Sequence, residues 1–82
     1  MAKKFTNDLI NMSVVTTTGQ LVGRLDNFVF DTETGNVKHA LIVPKGEVDF
    51  SNIQADKEGR YVVSMKALKS IEDIIVVDLT KL

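Results

Sequence analysis

Residues 19–31 carry an alternation that breaks once. Leu21, Gly23 and Leu25 share one parity, and Phe28 and Phe30 share the other. In a regular strand each parity keeps to one side. The slip near Asp26 and Asn27 therefore predicts a bulge or sharp coil inside one long strand, the device that lets a sheet curl on itself. Gly23 fits such a strand, since glycine there marks a bend or a close backbone approach. Gly19 supplies the turn that precedes it. Asp31 closes it, and Gly35 in the following loop is placed for a positive φ. Residues 37–43 answer as a second strand that stops at Pro44, which has no amide to give a ladder.

The rest of the chain reads as short pieces. Residues 12–18 are rich in Val and Thr and favour a strand. Residues 45–59 are charged, with an extended piece expected around Val48, Asp49 and Phe50 and a loop through 55–58. Residues 61–65 return as a strand. Residues 66–71 suit one helical turn with Ala67, Leu68 and Ile71 apolar. Glu72 and Asp73 then turn the chain into the aliphatic run Ile74, Ile75, Val76 and Val77. The expected class is all-β: a small β-barrel of about six strands with one short helical turn. The expected core is Val14, Leu21, Leu25, Phe28, Phe30, Leu41, Val43, Val63, Leu68, Ile71 and Ile75.

A chain of 82 residues makes one domain, residues 1–82. Residues 1–10 form a leader whose Phe5, Leu9 and Ile10 share an apolar face. It either plugs one barrel end or forms a mobile arm. An apolar share of 44% suits a folded chain. The net charge of −1 lacks the basic excess usual in nucleic-acid binders. Cysteine is absent, which removes disulfides and thiolate metal sites. No apolar run approaches the ~20 residues that cross a bilayer. Lys3 and Lys4 are not followed by an apolar signal core. The expected location is the cytoplasm, without direct membrane insertion.

Reactive residues do not assemble into a site. His39, the single histidine, shares parity with Val37 and Leu41 and reads as structural. A ligand or pH-sensing role is the alternative. Asp26, Asp31 and Glu33 lie close in sequence, but Asp31 and Glu33 flank a hairpin, where Asp commonly bonds backbone amides. Asp49, Asp56 and Glu58 lack calcium-loop spacing. Gly19 and Gly23 do not make a phosphate loop. Ser13, Ser51, Ser64 and Ser70 have no evident base. Lys38, Lys45, Lys66 and Lys69 read as solvated surface, or as a patch for an acidic partner or RNA. The expectation is no catalytic residue, no cofactor and no metal.

The aliphatic strands are more telling. Neighbouring strand residues point oppositely, so Leu41, Ile42 and Val43, and the run Ile74, Ile75, Val76 and Val77, place side chains on both faces. The outer ones need a cover: the leader, another protein or a second copy of the chain. These seven residues form the expected interface. A homodimer is the expected assembly, C2 pairs being the commonest closed oligomers.

The order of these pieces resembles the PRC-barrel family. The apolar lead Leu9, Ile10, Asn11, Met12, Ser13 and Val14 precedes the spaced pair Gly19 and Gly23. Asp31 and the hairpin Gly35 follow, then the aliphatic strand Ala40 to Val43. Residues 63–77 supply a strand, a short helical turn, the turn at Asp73 and a final aliphatic strand. Met65 stands where members often carry proline. The resemblance implies a non-catalytic docking module. Stand-alone members of this length resemble archaeal cell-division adaptors, which dock on the anchor of the tubulin-like division ring. By that likeness the partners are the anchor or a paralogous PRC-barrel protein, and the chain is recruited to the division site. The alternative is an RNA-associated factor resembling the ribosome-maturation module.

Overall fold

The computed structural model describes residues 9–46 and 50–82. They form seven strands and two 3-10 turns: β1 (Ser13–Thr16), β2 (Leu21–Phe30), β3 (Val37–Pro44), β4 (Gln54–Ala55), β5 (Tyr61–Ser64), η1 (Met65–Ala67), β6 (Leu68–Ile71), β7 (Ile74–Val77) and η2 (Leu79–Lys81). All strands belong to one sheet of order β4-β5-β3-β2-β1-β7-β6. Only β1 and β7 run parallel; the other pairs are antiparallel. The all-β, barrel-like expectation holds.

The connectivity forces the curl. β5 and β6 are five strand spacings apart, roughly 24 Å on a flat sheet. Yet only η1 separates Ser64 from Leu68, a link that reaches at most ~14 Å when fully extended. The two ends of the sheet must therefore approach each other. The Ser64 hydroxyl accepts from the Lys66 amide at 3.2 Å, and the Leu68 amide donates to the Met65 carbonyl, closing η1 at both ends. The Asp78 amide donates to the Ala67 carbonyl at 2.8 Å and ties the end of β7 to the same joint.

The bulge lies where the parity slip placed it. Against β3 the register jumps between Leu25, opposite Ile42, and Asn27, opposite Leu41. Leu25 and Phe28 consequently both face inward. Gly23 sits so close to β3 that a Cβ would collide with the Val43 carbonyl oxygen. In the β2–β3 connection Gly35 takes φ +75°, and its amide donates to the Asp31 carbonyl at 2.8 Å.

The core contains Val14, Val22, Leu25, Phe28, Ala40, Ile42, Phe50, Ile53, Tyr61, Val63, Ala67, Ile75 and Val77. Leu9 and Ile10 pack against it, half-buried, while Phe5 lies outside the described residues. Several expectations are corrected. Leu21 is exposed, because a second slip opposite Val14 and Val15 turns Val22 and Gly23 inward together. Phe30 is 48% exposed, because a third slip opposite Lys38 follows Val29. Leu41, Val43 and Leu68 are half-buried rather than core. The helical turn expected over 66–71 is shorter and earlier, and Leu68 already begins β6, at φ −102° and ψ 140°. The described residues hold seven strands, of which β4 and β6 were not foreseen. Val48 and Asp49, and the side chain of Ile71, lie outside the described residues. Phe50 is buried outside any strand; its amide donates to the Tyr61 hydroxyl at 3.2 Å, and the two rings meet edge-on at 6.1 Å.

Candidate interaction surface

Strand alternation divides the seven expected interface residues into two sets. Ile42, Ile75 and Val77 are interior, with 0%, 3% and 0% exposure. They cannot meet a partner, which corrects the expectation for all three. The reason is register: Ile42 faces Leu25 across the β2–β3 pair, and Ile75 faces Val14 across the parallel β1–β7 pair. Leu41, Val43, Ile74 and Val76 have the opposite parity. Ile74 is 40% exposed and the other three are half-buried.

These four do not form one cluster. β3 and β7 are separated by β2 and β1. On the β3–β5 side, Leu41 stands opposite Val62 and Asn27, and Val62 opposite Gln54. Beside them His39, Asn52, Gln54, Val62, Ser64 and Leu82 line an open depression. His39 is half-buried there, opposite Ser64. Among the described residues no Asp, Glu, Lys or Arg lines that depression. On the β1–β7 side, Val15 stands between Leu21 and Val76, and Ser13 between Arg24 and Ile74. Leu21 and Ile74 are 41% and 40% exposed. Sequence reasoning missed Val62, Val15 and Leu21 as surface. The outward parity of Val15 was readable, whereas the position of Leu21 depends on a bulge without a sequence mark.

The polar residues serve structure. An Asp31 carboxylate oxygen accepts from the amides of Glu33 and Thr34 at 2.8 and 3.3 Å, and its other oxygen lies 3.8 Å from Lys38 Nζ. Arg60 reaches three carboxylates: Asp56 at 2.8 Å, Asp26 at 2.9 Å and Glu58 at 3.1 Å. Partial desolvation pushes the Asp56 carboxyl upward. Hydrogen bonds from the Arg60 amide and guanidinium and from the Glu58 amide outweigh that and hold it below its ordinary value. Those to Asp26 and Asp56 raise Arg60. The Asp78 carboxyl is lowered by the Thr80 hydroxyl at 2.6 Å and its amide at 3.0 Å, with help from the charges of Lys81 and Lys69. The four lysines do not gather: Lys38 and Lys66 share one groove, Lys45 lies by Arg24, and Lys69 borders a third depression. Among the described residues no three His, Cys, Asp or Glu side chains are grouped to hold a metal ion. No helix among them is long and apolar enough to cross a membrane.

A curled all-β sheet with outward aliphatic side chains on two sides agrees with what the sequence matches. The family model for the PRC-barrel domain covers residues 1–82. A search of the curated proteins finds no match. The family is one of small β-barrel modules often engaged in protein interactions. On its fold and on a match spanning its full length, this chain belongs to the PRC-barrel family.

Proposed function

We propose that this protein is a non-enzymatic interaction adaptor that acts as a homodimer and joins a second protein to an assembly. Its resemblance to archaeal division adaptors directs that reading to the anchor of the tubulin-like division ring, with a cytoplasmic location and recruitment to the division site. The observation that carries the reading is the outward face of β3 and β5. Leu41 and Val62 stand opposite each other there, beside a depression that, among the described residues, has no Asp, Glu, Lys or Arg in its lining. An isologous dimer sets a patch against its own copy, and the paired Leu41 and Val62 side chains would meet their copies with no like-charge penalty of their own. Burying such aliphatic side chains contributes roughly 1.5–3 kcal/mol each when complete.

The RNA reading has weaker support. Single-stranded RNA is read by stacking on aromatic platforms. Among the described residues Phe30 is the one exposed aromatic side chain, and it adjoins the acidic loop of Asp31 and Glu33.

Light scattering at micromolar concentration tests the assembly. The wild type and a chain lacking residues 1–8 are expected to be dimers, and Leu41→Glu a folded monomer. A monomeric wild type that stays monomeric after the truncation sinks the homodimer. Dimerisation only after truncation shows that the leader covers the face in the full chain.

A further inference from the structure

Beside the joint that η1 makes between β5 and β6, the barrel wall holds an apolar depression of about 80 Å³. Leu25, Phe28 and Ile75 line it as buried core side chains. Leu9, Met65 and Leu68 line it as half-buried ones. The exposed Lys69 and Ser70 supply the polar part of the lining among the described residues. Water in such a place finds few of the polar partners that hold it, and the space suits one apolar side chain rather than a strand or a helix. One wall belongs to the leader. Leu9 is helical, and its turn ends at Asn11, which takes φ +73°. The Asn11 amide donates to the Leu25 carbonyl at 2.8 Å, and the Leu25 amide donates to the Met12 carbonyl at 2.9 Å. These bonds fix the end of the leader to β2 at the depression.

We infer that Phe5 seats its ring in this depression and makes the leader a built-in plug of the barrel. Side chains at i and i+4 of a helix share one face. A helical turn continued upstream from Leu9 therefore brings Phe5 beside Leu9, about 6 Å along the axis. The other apolar residues of 1–8 are Met1 and Ala2. Ala2 is too short to fill the space, and Met1 lies two helical turns away from Leu9 in sequence. The Phe28 ring at the depression offers Phe5 an aromatic partner, and such pairs attract beyond their burial. The tether favours Phe5 over any other occupant. Residues 6–8 alone separate it from Leu9, and a short tether sets an effective concentration in roughly the millimolar range. A side chain of a partner protein or of a second copy, present at micromolar concentration, competes at a disadvantage of about a thousandfold. The inference does not rest on the adaptor reading. It reserves this depression for the chain itself, so a partner docks elsewhere or must first expel Phe5.

Nuclear Overhauser contacts in the isotope-labelled full chain test this. Cross-peaks are expected from the Phe5 ring to the methyl groups of Leu25, Leu68 and Ile75. Phe5→Ala should lower the folding equilibrium constant about tenfold or more, read from urea midpoints, and removal of residues 1–8 should lower it by a similar factor. Phe5→Leu should recover most of the loss, since an apolar plug needs bulk rather than a polar group. Lys4→Ala is the control and should leave the midpoint unchanged. The contacts are read in the wild type, so the test stands even where a variant fails to fold. The inference is overturned if the Phe5 ring makes no contact with those methyl groups, or if Phe5→Ala and wild type share one midpoint. In a sample mixing labelled with unlabelled chains, contacts that arise only between chains would put a second copy's leader in the depression and overturn it too. A monomer in light scattering with the Phe5 contacts intact would sink the homodimer alone. A dimer without those contacts would sink this inference alone.

Discussion

Asp26 and Arg60 lie 34 residues apart and meet through a 2.9 Å hydrogen bond from Arg60 Nη1 to Asp26 Oδ2. Asp26 sits in the β2 bulge, and Arg60 lies just before β5, so the bond ties the bend of the longest strand to the β4–β5 end of the sheet. Arg60 Nε binds Asp56 Oδ2 at 2.8 Å in the same network. Arg60→Gln should lower the thermal midpoint. Arg60→Lys should recover little of it, because an ammonium cannot reproduce a planar fork that reaches several carboxylates at once. Equal midpoints for wild type and Arg60→Gln would show the network to be without effect. These side chains are partly exposed, so added salt should narrow the difference.

Acid should weaken the same region. The Asp56 carboxyl titrates below its ordinary 3.8 in the folded protein. The unfolded chain therefore takes up the proton first, and stability rises with pH through this window. The contribution is complete above the unfolded value and is lost as pH falls through the folded one. Asp56→Asn should differ most from wild type above about pH 5, and the gap should shrink toward about pH 3. Urea midpoints across that range measure it; a gap that widens on acidification would contradict the assignment. Asp78 is lowered as well, so Asp56→Asn should still keep an acid-dependent slope.

Gly23→Ala should be among the most damaging small changes. The new methyl group would overlap the Val43 carbonyl oxygen, a backbone atom held in the ladder. Overpacking costs about 1–3 kcal/mol and occasionally more, and the upper end is expected here. Gly19→Ala and Gly35→Ala are the controls. Both have φ near +80° but open space around a Cβ, so each should cost about 1 kcal/mol through conformation alone. Chemical denaturation ranks the three.

Tyr61→Phe should cost about 1–3 kcal/mol, although it removes only a hydroxyl. That hydroxyl accepts the buried Phe50 amide, and an orphaned buried donor keeps its full desolvation penalty. An unchanged urea midpoint would mean that the amide finds another acceptor.

Phe28→Ala should cost roughly 3–5 kcal/mol, and Phe30→Ala well under half of that. The rings are neighbours at 6.5 Å, but they are 8% and 48% exposed. Denaturation of both variants separates burial from aromatic character.

Phe30 also marks the limit of what the sequence discloses. The slip at Asp26 and Asn27 was legible because large apolar residues flank it on opposite parities. The slips opposite Val14 and Val15 and at Lys38 have no such flanks: Val22 and Val37 are as apolar as the residues they displace. Their effect appears only once the neighbouring strand fixes the register. Ala67 and Leu68 illustrate a different conflict. Their sequence suits a helical turn, but pairing of Leu68 with Val77 ends it after three residues. At the surface, the outward parity of Leu41, Val43, Ile74 and Val76 was implied by alternation. Which parity is inside could not be read from four consecutive aliphatics, and so Ile42, Ile75 and Val77 were counted with them.

The parallel pairing of β1 with β7 has a consequence for how the chain is made. β1 sits in the middle of the sheet, yet one of its two neighbours is the last strand. Until Ile74 to Val77 have left the ribosome, one side of β1 stays open and Val14 lacks the cover of Ile75. The antiparallel β1-β2-β3 portion can form early from contacts close in sequence, but closure waits for a strand about sixty positions downstream. Long-range pairing of this kind slows folding and leaves a sticky edge in the interim. The nascent protein therefore passes through a stage in which most of its sheet exists but its barrel does not.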